Sequence, residues 1–294
     1  MTSPDGGSTG GPTARRMLLG VHLRRLREAK GVTREAAGYE IRSSESKISR
    51  MELGRVGFKE RDVSDLLTLY GVTDQVQRDT LLGLAREANT PGWWHRYGDL
   101  LANWFQPYLG LEAASALIRT YEVQFVPGLL QTEDYARAVI MLGHGSAKAE
   151  DIERRVSVRM ARQQLLTRPN PPQLWAVVDE ATLKRPIGGA KVMRAQIEAL
   201  IDATRLPNVQ IQVIPFEAGG HAAAGGAFTI LRFREPDLPD LVYLEQLTSA
   251  LYLDKREDVD EYALAMERLC VEADLPARTA ETLGRTLREL GLEG

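Results

Sequence analysis

Short polar side chains and one arginine lie between residues 43 and 50, at a spacing that suits the outer face of a helix. Glu45 can accept a hydrogen bond from a cytosine amino group, and Arg50 can donate two hydrogen bonds to guanine. Such groups suit the major groove of DNA. The predicted DNA-binding residues are Arg34, Ser44, Glu45, Ser46, Lys47, Ser49, Arg50 and Arg55. Base contacts are assigned to Glu45, Ser46 and Arg50, and phosphate contacts to Arg34, Lys47 and Arg55. Taken singly, each residue also suits a solvated surface.

Two short helices joined by a polar turn would position these side chains. Thr33 is a good N-cap for a first helix over residues 34–40. Ser43 or Ser44 caps a second helix, which Gly54 is placed to terminate. The pattern predicts a helix-turn-helix.

Three further helices are predicted around this pair, over residues 17–29, 59–70 and 74–88. Ile48 and Met51 are three residues apart, so they share a face and are expected to pack into the bundle. The first helix is expected to carry three arginines on its outer side, namely Arg24, Arg25 and Arg27.

Charge is distributed unevenly along the chain. The whole sequence has 37 basic and 40 acidic residues, but residues 15–61 hold 13 basic and 6 acidic ones. The remainder therefore holds 24 basic and 34 acidic residues. A basic segment beside an acidic remainder is typical of a small nucleic-acid-binding module joined to a domain with another task.

The composition, with 44% apolar and 26% charged residues, is that of a soluble globular protein. No apolar run approaches the roughly 20 residues needed to cross a bilayer, and we expect no signal peptide and no membrane association. The single cysteine, Cys270, excludes an internal disulfide, fits a reducing cytoplasm and is expected to pack in the core. We expect a cytoplasmic protein.

The sequence divides into three regions. Residues 1–16 are predicted to be a disordered tail, residues 17–88 the DNA-binding domain, and residues 93–290 a larger domain. The turn-forming cluster at residues 89–92 separates the two domains. The fold prediction is an all-α bundle of four to five helices followed by an α+β domain with an antiparallel sheet, rather than alternating βα units.

An aromatic segment begins the second domain. Residues 93–105 place six apolar side chains on one predicted helical stripe, namely Trp93, Trp94, Tyr97, Leu101, Trp104 and Phe105. Such a helix serves either as a packing strut or as a face for a partner or ligand, because aromatic residues are frequent at interfaces. Trp93, Trp94, Tyr97 and Trp104 are the candidate contacts.

The sequence gives little support to catalysis. The four histidines show no metal-ligand spacing, so we expect no metal site and no cofactor. The glycine-rich segment 218–226 has no lysine and lies between two predicted strands, which favours a hairpin loop over a phosphate-binding loop. A small-molecule role for His221 in that loop stays open. We expect that the chain is not an enzyme.

Several segments of the sequence resemble known protein families. Residues 23–31, 33–35 and 47–54 resemble the phage-repressor-like (XRE, Cro/C1-type) helix-turn-helix. The remainder resembles the C-terminal domain of the actinobacterial, antitoxin-like WhiJ group. The segments that carry this resemblance are residues 93–94, 121–122, 126–132, 135–137, 174–175, 179–181, 185–186, 208–215, 228–229, 242–245 and 252–254.

The resemblance implies a transcriptional regulator, usually a repressor, whose C-terminal domain binds a signal or a small acidic partner protein encoded nearby. Two alternatives stay open. The first is an antitoxin-like protein that mainly sequesters this partner and regulates its own operon. The second is a regulator that senses a small molecule. We expect a homodimer on double-stranded DNA with a palindromic operator, its recognition helices one turn of DNA apart, roughly 34 Å.

Two positions depart from the pattern of the repressor-like family. Arg42 stands at the turn position usually held by glycine, which raises the question whether the turn has its usual left-handed conformation, at a cost of roughly 1 kcal/mol. Ala37 stands where leucine is commoner, so the first helix of the pair either packs less tightly or is compensated by Tyr39.

Overall fold

The computed structural model describes residues 12–223, 225–289 and 291. Its N-terminal part confirms the predicted helical bundle. The helices are α1 (Pro12–Ala29), α2 (Arg34–Glu40), α3 (Glu45–Glu52), α4 (Glu60–Leu69) and α5 (Gln75–Ala88). They surround one core in which Leu19, Leu23, Ile48, Phe58 and Leu66 are buried.

The first helix starts earlier than predicted. Residues 1–11 of the predicted tail lie outside the described residues, but α1 begins at Pro12, so the prediction of disorder is wrong for residues 12–16. Residues that are distant in the sequence hold this extra turn in place. Arg15 pairs with Glu87, and the Arg16 guanidinium donates to the Ala88 carbonyl. These contacts with α5 are not visible in local sequence.

Helices and strands alternate over the rest of the chain. The elements are α6 (Phe105–Ala114), β1 (Ser115–Glu122), α7 (Glu133–His144), α8 (Ala149–Gln163), β2 (Gln173–Asp179), α9 (Glu180–Lys184), α10 (Ala190–Ala203), β3 (Val209–Ile214), β4 (Phe228–Phe233), β5 (Leu241–Glu245), β6 (Ala250–Leu253), α11 (Arg256–Glu272) and α12 (Thr279–Glu289).

The six strands form one mixed sheet in the order β3-β2-β1-β4-β5-β6. The predicted antiparallel arrangement is confirmed for β4, β5 and β6. The expectation that no βα units alternate is wrong for the first half of the domain, because β1, β2 and β3 pair in parallel. Parallel neighbours need crossover connections, and α7 to α10 provide them.

The glycine-rich segment 218–226 is not a hairpin loop. It follows β3 and precedes β4, which are separated in the sheet by β2 and β1. The chain therefore crosses the sheet here instead of reversing beside its own strand.

One strand is more buried than its sequence suggests. Residues 209–214 alternate apolar and polar side chains, which is typical of a half-buried strand. In the fold, Gln212 is buried and its side-chain amide has partners there. The amide oxygen accepts from Trp175 Nε1, and the amide nitrogen donates to the carbonyls of Cys270 and Asp274. The polar side chain is satisfied inside the protein, as a buried amide must be.

The aromatic segment is not one continuous helix, and this prediction is wrong. A short 3-10 helix covers Trp93–Tyr97, turns follow, and α6 starts at Phe105. Trp94 is buried, and its ring lies where a side chain at Gly92 would be: a Cβ there would be 2.4 Å from Trp94 Cη2. The tryptophan therefore packs onto a glycine backbone, and the six apolar side chains do not share one face of a helix.

The contacts divide the chain into two compact units. The first unit holds the described residues up to 96, together with residues 106–114 and 233–238. The second unit holds residues 97–105 and 115–232 and the described residues from 239 onward. One apolar cluster of this unit lies between the sheet and α11, where Tyr121, Val177, Phe228, Met266 and Leu269 are buried.

Candidate nucleic-acid interface

Helices α2 and α3 begin at the side-chain caps that the sequence predicts. Thr33 Oγ1 accepts from the Ala36 amide at 3.1 Å. Of the two candidates for the second cap, Ser44 fills the position, and its Oγ accepts from the Lys47 amide at 3.2 Å. Each cap satisfies one of the first amides of its helix. The start of α3 is therefore determined locally.

The turn between α2 and α3 has the left-handed conformation that its arginine put in question. Arg42 has φ 51°, a value that favours glycine. The turn is tight, since a Cβ on Gly38 would lie 2.8 Å from the Ser43 carbonyl oxygen. Gly54 ends the motif with φ 64°, as predicted. Arg42 therefore holds a strained position so that α3 can follow α2 closely.

The inner face of α3 is anchored by apolar packing and by one buried carboxylate. Ile48 and Met51 are buried, as the spacing predicts. Beside them Glu52 is almost completely buried and accepts from Arg27 Nε on α1 at 2.5 Å and from Arg34 Nε on α2 at 3.0 Å. The Glu52 carboxylate therefore joins three helices. Sequence reasoning did not single out this residue.

Arg27 was expected to point into solvent, and that expectation is wrong. The residue is buried, and its guanidinium also donates to the Val32 carbonyl at 2.9 Å. The hydrogen bond from Arg27 to Glu52 raises the pKa of Arg27, and burial raises the pKa of the neighbouring Tyr70 hydroxyl. A buried ion pair of this kind costs desolvation free energy, but it places α3 at one angle to α1.

The outer face of α3 presents the residues that were predicted to read bases. Glu45, Ser46 and Arg50 are exposed, and Ser49 is half-buried. Arg50 Nε donates to the Ser46 carbonyl at 3.3 Å, which lays the guanidinium along the helix surface. Within the described residues, no carboxylate lies within ion-pair distance of Arg50, so its charge is open to a ligand.

The three predicted phosphate contacts are not equivalent. Arg34 pairs with Glu52, and Lys47 Nζ lies 2.7 Å from Asp62 Oδ2 on α4. Arg55 is exposed, and no described acidic group is near enough to pair with it. The charges of Arg34 and Lys47 are thus partly compensated, whereas that of Arg55 is not. The phosphate roles stay predictions, and Arg55 is the strongest of the three.

Tyr39 does not compensate for the small Ala37 on α2. Its side chain is 86% exposed, whereas Ala37 is fully buried. Elsewhere in the bundle, small residues let the helices approach closely. A Cβ on Gly20 of α1 would lie 2.5 Å from the Glu52 carbonyl oxygen, so α1 and α3 meet backbone to backbone.

The candidate partner or ligand residues of the aromatic segment are scattered. Trp93 is 38% exposed and Trp94 is buried, and both belong to the first unit. Tyr97 and Trp104 are half-buried and belong to the second unit, where the Trp104 carbonyl accepts from the Tyr252 hydroxyl at 2.6 Å. A shared binding role for these four residues stays a prediction.

His221 lies at the carboxyl ends of two parallel strands. Its Nε2 is 2.9 Å from the hydroxyl of Tyr121 in β1 and 3.6 Å from Asp179 Oδ2 at the end of β2. The Ala223 amide donates to His221 Nδ1 at 3.3 Å, which helps to orient the ring. Ligands of open α/β sheets bind at such strand ends.

Among the described residues, no helix is both long and apolar enough to span a membrane. Over the same residues, no three histidine, cysteine or carboxylate side chains are gathered as a metal ion would require.

Comparisons with known proteins identify both parts of the chain. A family model described as Domain of unknown function (DUF5753) matches residues 105–285, which is more than half of the sequence. A model described as Helix-turn-helix domain matches residues 18–81, and therefore spans α2 and α3. No curated protein and no solved structure matches the chain.

Proposed function

Since this chain belongs to the family described as Domain of unknown function (DUF5753) and carries a helix-turn-helix domain, we propose that it is a sequence-specific transcriptional regulator. In this proposal it acts in the cytoplasm as a repressor, without catalysis, and binds a palindromic operator as a homodimer. One observation carries the DNA-binding role. The outer face of α3 presents Glu45, Ser46 and Arg50 to solvent, while Glu52 anchors its inner face.

Charge supports this assignment of the two parts of the chain. Residues 15–61 have the basic excess that attracts the phosphate backbone, and the acidic remainder is repelled by DNA. The second domain is then the part suited to sensing. We propose that a bound partner or ligand favours a domain arrangement whose half-site spacing no longer fits the operator, so that DNA is released.

The signal is proposed to reach the second domain in one of two forms. The resemblance to the WhiJ-like group favours a small acidic protein encoded nearby, with antitoxin-like sequestration as the stronger version of that proposal. The arrangement of His221, Tyr121 and Asp179 at the ends of β1 and β2 favours a small molecule. Thermal stabilisation by a metabolite, lost in His221→Ala, is expected for the second form.

Footprinting on the protein's own promoter region, at two salt concentrations and with and without the neighbouring small protein, tests the proposal. A protected inverted repeat that weakens at higher salt is expected. Loss of protection on adding the partner supports control by a protein, and unchanged protection directs the search to small ligands. If no region is protected, the DNA-binding role is wrong.

A further inference from the structure

Arg42 has the left-handed backbone conformation that glycine supplies elsewhere in the same bundle. The turns after α1, α3 and α4 have positive φ at Gly31, Gly54 and Gly71, with values of 70°, 64° and 78°. Arg42, in the turn before α3, has φ 51°. An arginine is less stable than a glycine in this region, because its Cβ crowds the backbone. The presence of arginine at this one turn therefore calls for a reason.

Contacts within the protein do not supply that reason. Arg42 is exposed, and among the described residues no hydrogen bond or ion pair engages its guanidinium. The other described non-glycine residue with positive φ is Asn170, and asparagine adopts this region more readily. Strained residues of this kind are concentrated at functional sites, where the strain is retained for a role of the side chain.

The charge of Arg42 is open, whereas a nearby cation is already paired. Lys47, the first basic residue of α3, has its Nζ 2.7 Å from Asp62 Oδ2. Arg42 lies three residues before α3 begins, and the exposed Arg55 lies three residues after it ends. Guanidinium groups without a described acidic partner therefore lie at both ends of the helix that presents the predicted base contacts.

A guanidinium in this place suits a phosphate of the DNA backbone. The group is always charged, and its planar set of donors fits phosphate oxygens. Contacts of this kind hold a reading helix in register without selecting the sequence. A second reason is the exposed Glu45 at the start of α3, since a helix that brings this carboxylate to DNA also brings it near phosphates. A cation beside it reduces the repulsion.

We propose that Arg42 binds a phosphate of the DNA backbone beside the end of α3 that enters the major groove. The backbone strain is retained because this position requires a cation, which glycine does not provide. With Arg55 at the other end, the recognition helix then has a phosphate contact on each side. The inference rests on the proposed function, because it adds a residue to the same DNA-binding surface.

Anisotropy titrations with operator and scrambled DNA at several salt concentrations test this contact. Arg42→Asn removes the charge but keeps a residue that tolerates the left-handed region. We expect it to weaken binding to both DNAs on the order of 10-fold at about 50 mM salt, and to reduce the salt slope by about 0.9. Arg42→Lys keeps the charge and is expected to keep the slope of the wild type. An unchanged slope in Arg42→Asn overturns the proposal.

Arg86→Gln is the matched control for the change in net charge. Arg86 is also an exposed arginine of the bundle, but it lies on α5 and is paired with Glu60 at 2.6 Å. Its loss changes the charge of the protein by the same amount, so we expect a much smaller effect on the salt slope. Equal decreases of the slope in Arg86→Gln and Arg42→Asn indicate a general charge effect and overturn the contact.

Thermal unfolding separates the loss of a contact from the loss of structure. Arg42→Gly removes the charge and the strain together, so we expect a higher melting temperature than in the wild type and a salt slope like that of Arg42→Asn. A protein that is more stable but binds DNA less tightly has not lost binding through unfolding. If Arg42→Gly binds DNA as tightly as the wild type, Arg42 has no role on DNA.

The same titrations distinguish this inference from the proposed function. If the wild type protects an inverted repeat but shares its salt slope with Arg42→Asn, the DNA-binding role stands and the Arg42 contact is wrong. If the wild type binds neither DNA at any salt concentration, the proposed function and the contact both fail.

Discussion

Arg27 of α1 and Glu52 of α3 form a buried ion pair, with Arg27 Nε 2.5 Å from Glu52 Oε1. The pair lies directly behind the surface that presents Arg50. A helix that reads base edges must be held at one angle, because a shift of its axis moves every side chain on its outer face. Apolar packing by Ile48 and Met51 alone restricts rotation of α3 about its axis less tightly. The ion pair adds the constraint that fixes this rotation.

Loss of one partner of this pair is expected to destabilise the bundle strongly. Glu52→Gln leaves Arg27 buried without its counter-charge, and we expect the free energy of unfolding to fall by about 3–5 kcal/mol in urea titrations. Glu40→Gln is the control, because Glu40 at the end of α2 is exposed and its loss is expected to cost less than about 1 kcal/mol. Similar losses in both variants contradict a special role for Glu52.

Replacement of the arginine in the turn before α3 is expected to stabilise the protein. Arg42 has φ 51°, so Arg42→Gly removes left-handed strain and is expected to stabilise the protein by about 0.5–1 kcal/mol after the entropy of the unfolded chain is counted. Gly54→Ala is expected to act in the opposite direction, because a Cβ there lies 2.7 Å from the Met17 backbone at φ 64°. Thermal unfolding of both variants measures the two signs, and a destabilised Arg42→Gly protein refutes the strain.

The exposed arginines of the motif are expected to act differently on DNA. Arg50→Ala is expected to weaken binding to the operator by about 1–3 kcal/mol and to relax sequence preference. Arg55→Ala is expected to weaken binding to all sequences and to reduce the salt slope by about 1. Anisotropy titrations on cognate and scrambled DNA measure both effects, with Arg205→Ala in the second unit as the control. Equal losses on the two DNAs for Arg50→Ala reject its base-reading role.

Glu122, the last residue of β1, predicts a pH dependence of stability. Burial is the main cause that raises the pKa of its carboxyl group to about 8. The negative charge of Glu245 also raises this pKa, whereas the positive charges of Arg159 and Arg162 lower it. The folded pKa lies above that of the unfolded chain, so the protonated group favours folding. This contribution is complete below the unfolded pKa and is lost as pH rises through about 8.

Glu122→Gln tests that sign, because glutamine stays neutral. We expect the variant to be more stable than the wild type at about pH 9, by on the order of 1–2 kcal/mol, and equal to it at about pH 5. Glu153→Gln serves as the control, since Glu153 is exposed. Melting temperatures that stay parallel between variant and wild type over this pH range argue against a raised pKa.

The sequence by itself determined the local features of the DNA-binding motif. Caps and helix ends depend on residues three or four apart, so the sequence assigns Thr33 and Gly54 correctly and narrows the second cap to Ser43 or Ser44. The inward direction of Ile48 and Met51 follows from helical spacing in the same way.

Only the tertiary structure decided which distant residues meet. Arg27 and Glu52 are 25 residues apart, and an arginine that helical spacing places outside is buried because a carboxylate from α3 reaches it. The same reason applies to the sheet. A strand pattern indicates which face is buried but not which strand is the neighbour. The parallel half of the sheet and the crossing at residues 218–226 therefore depend on the whole fold.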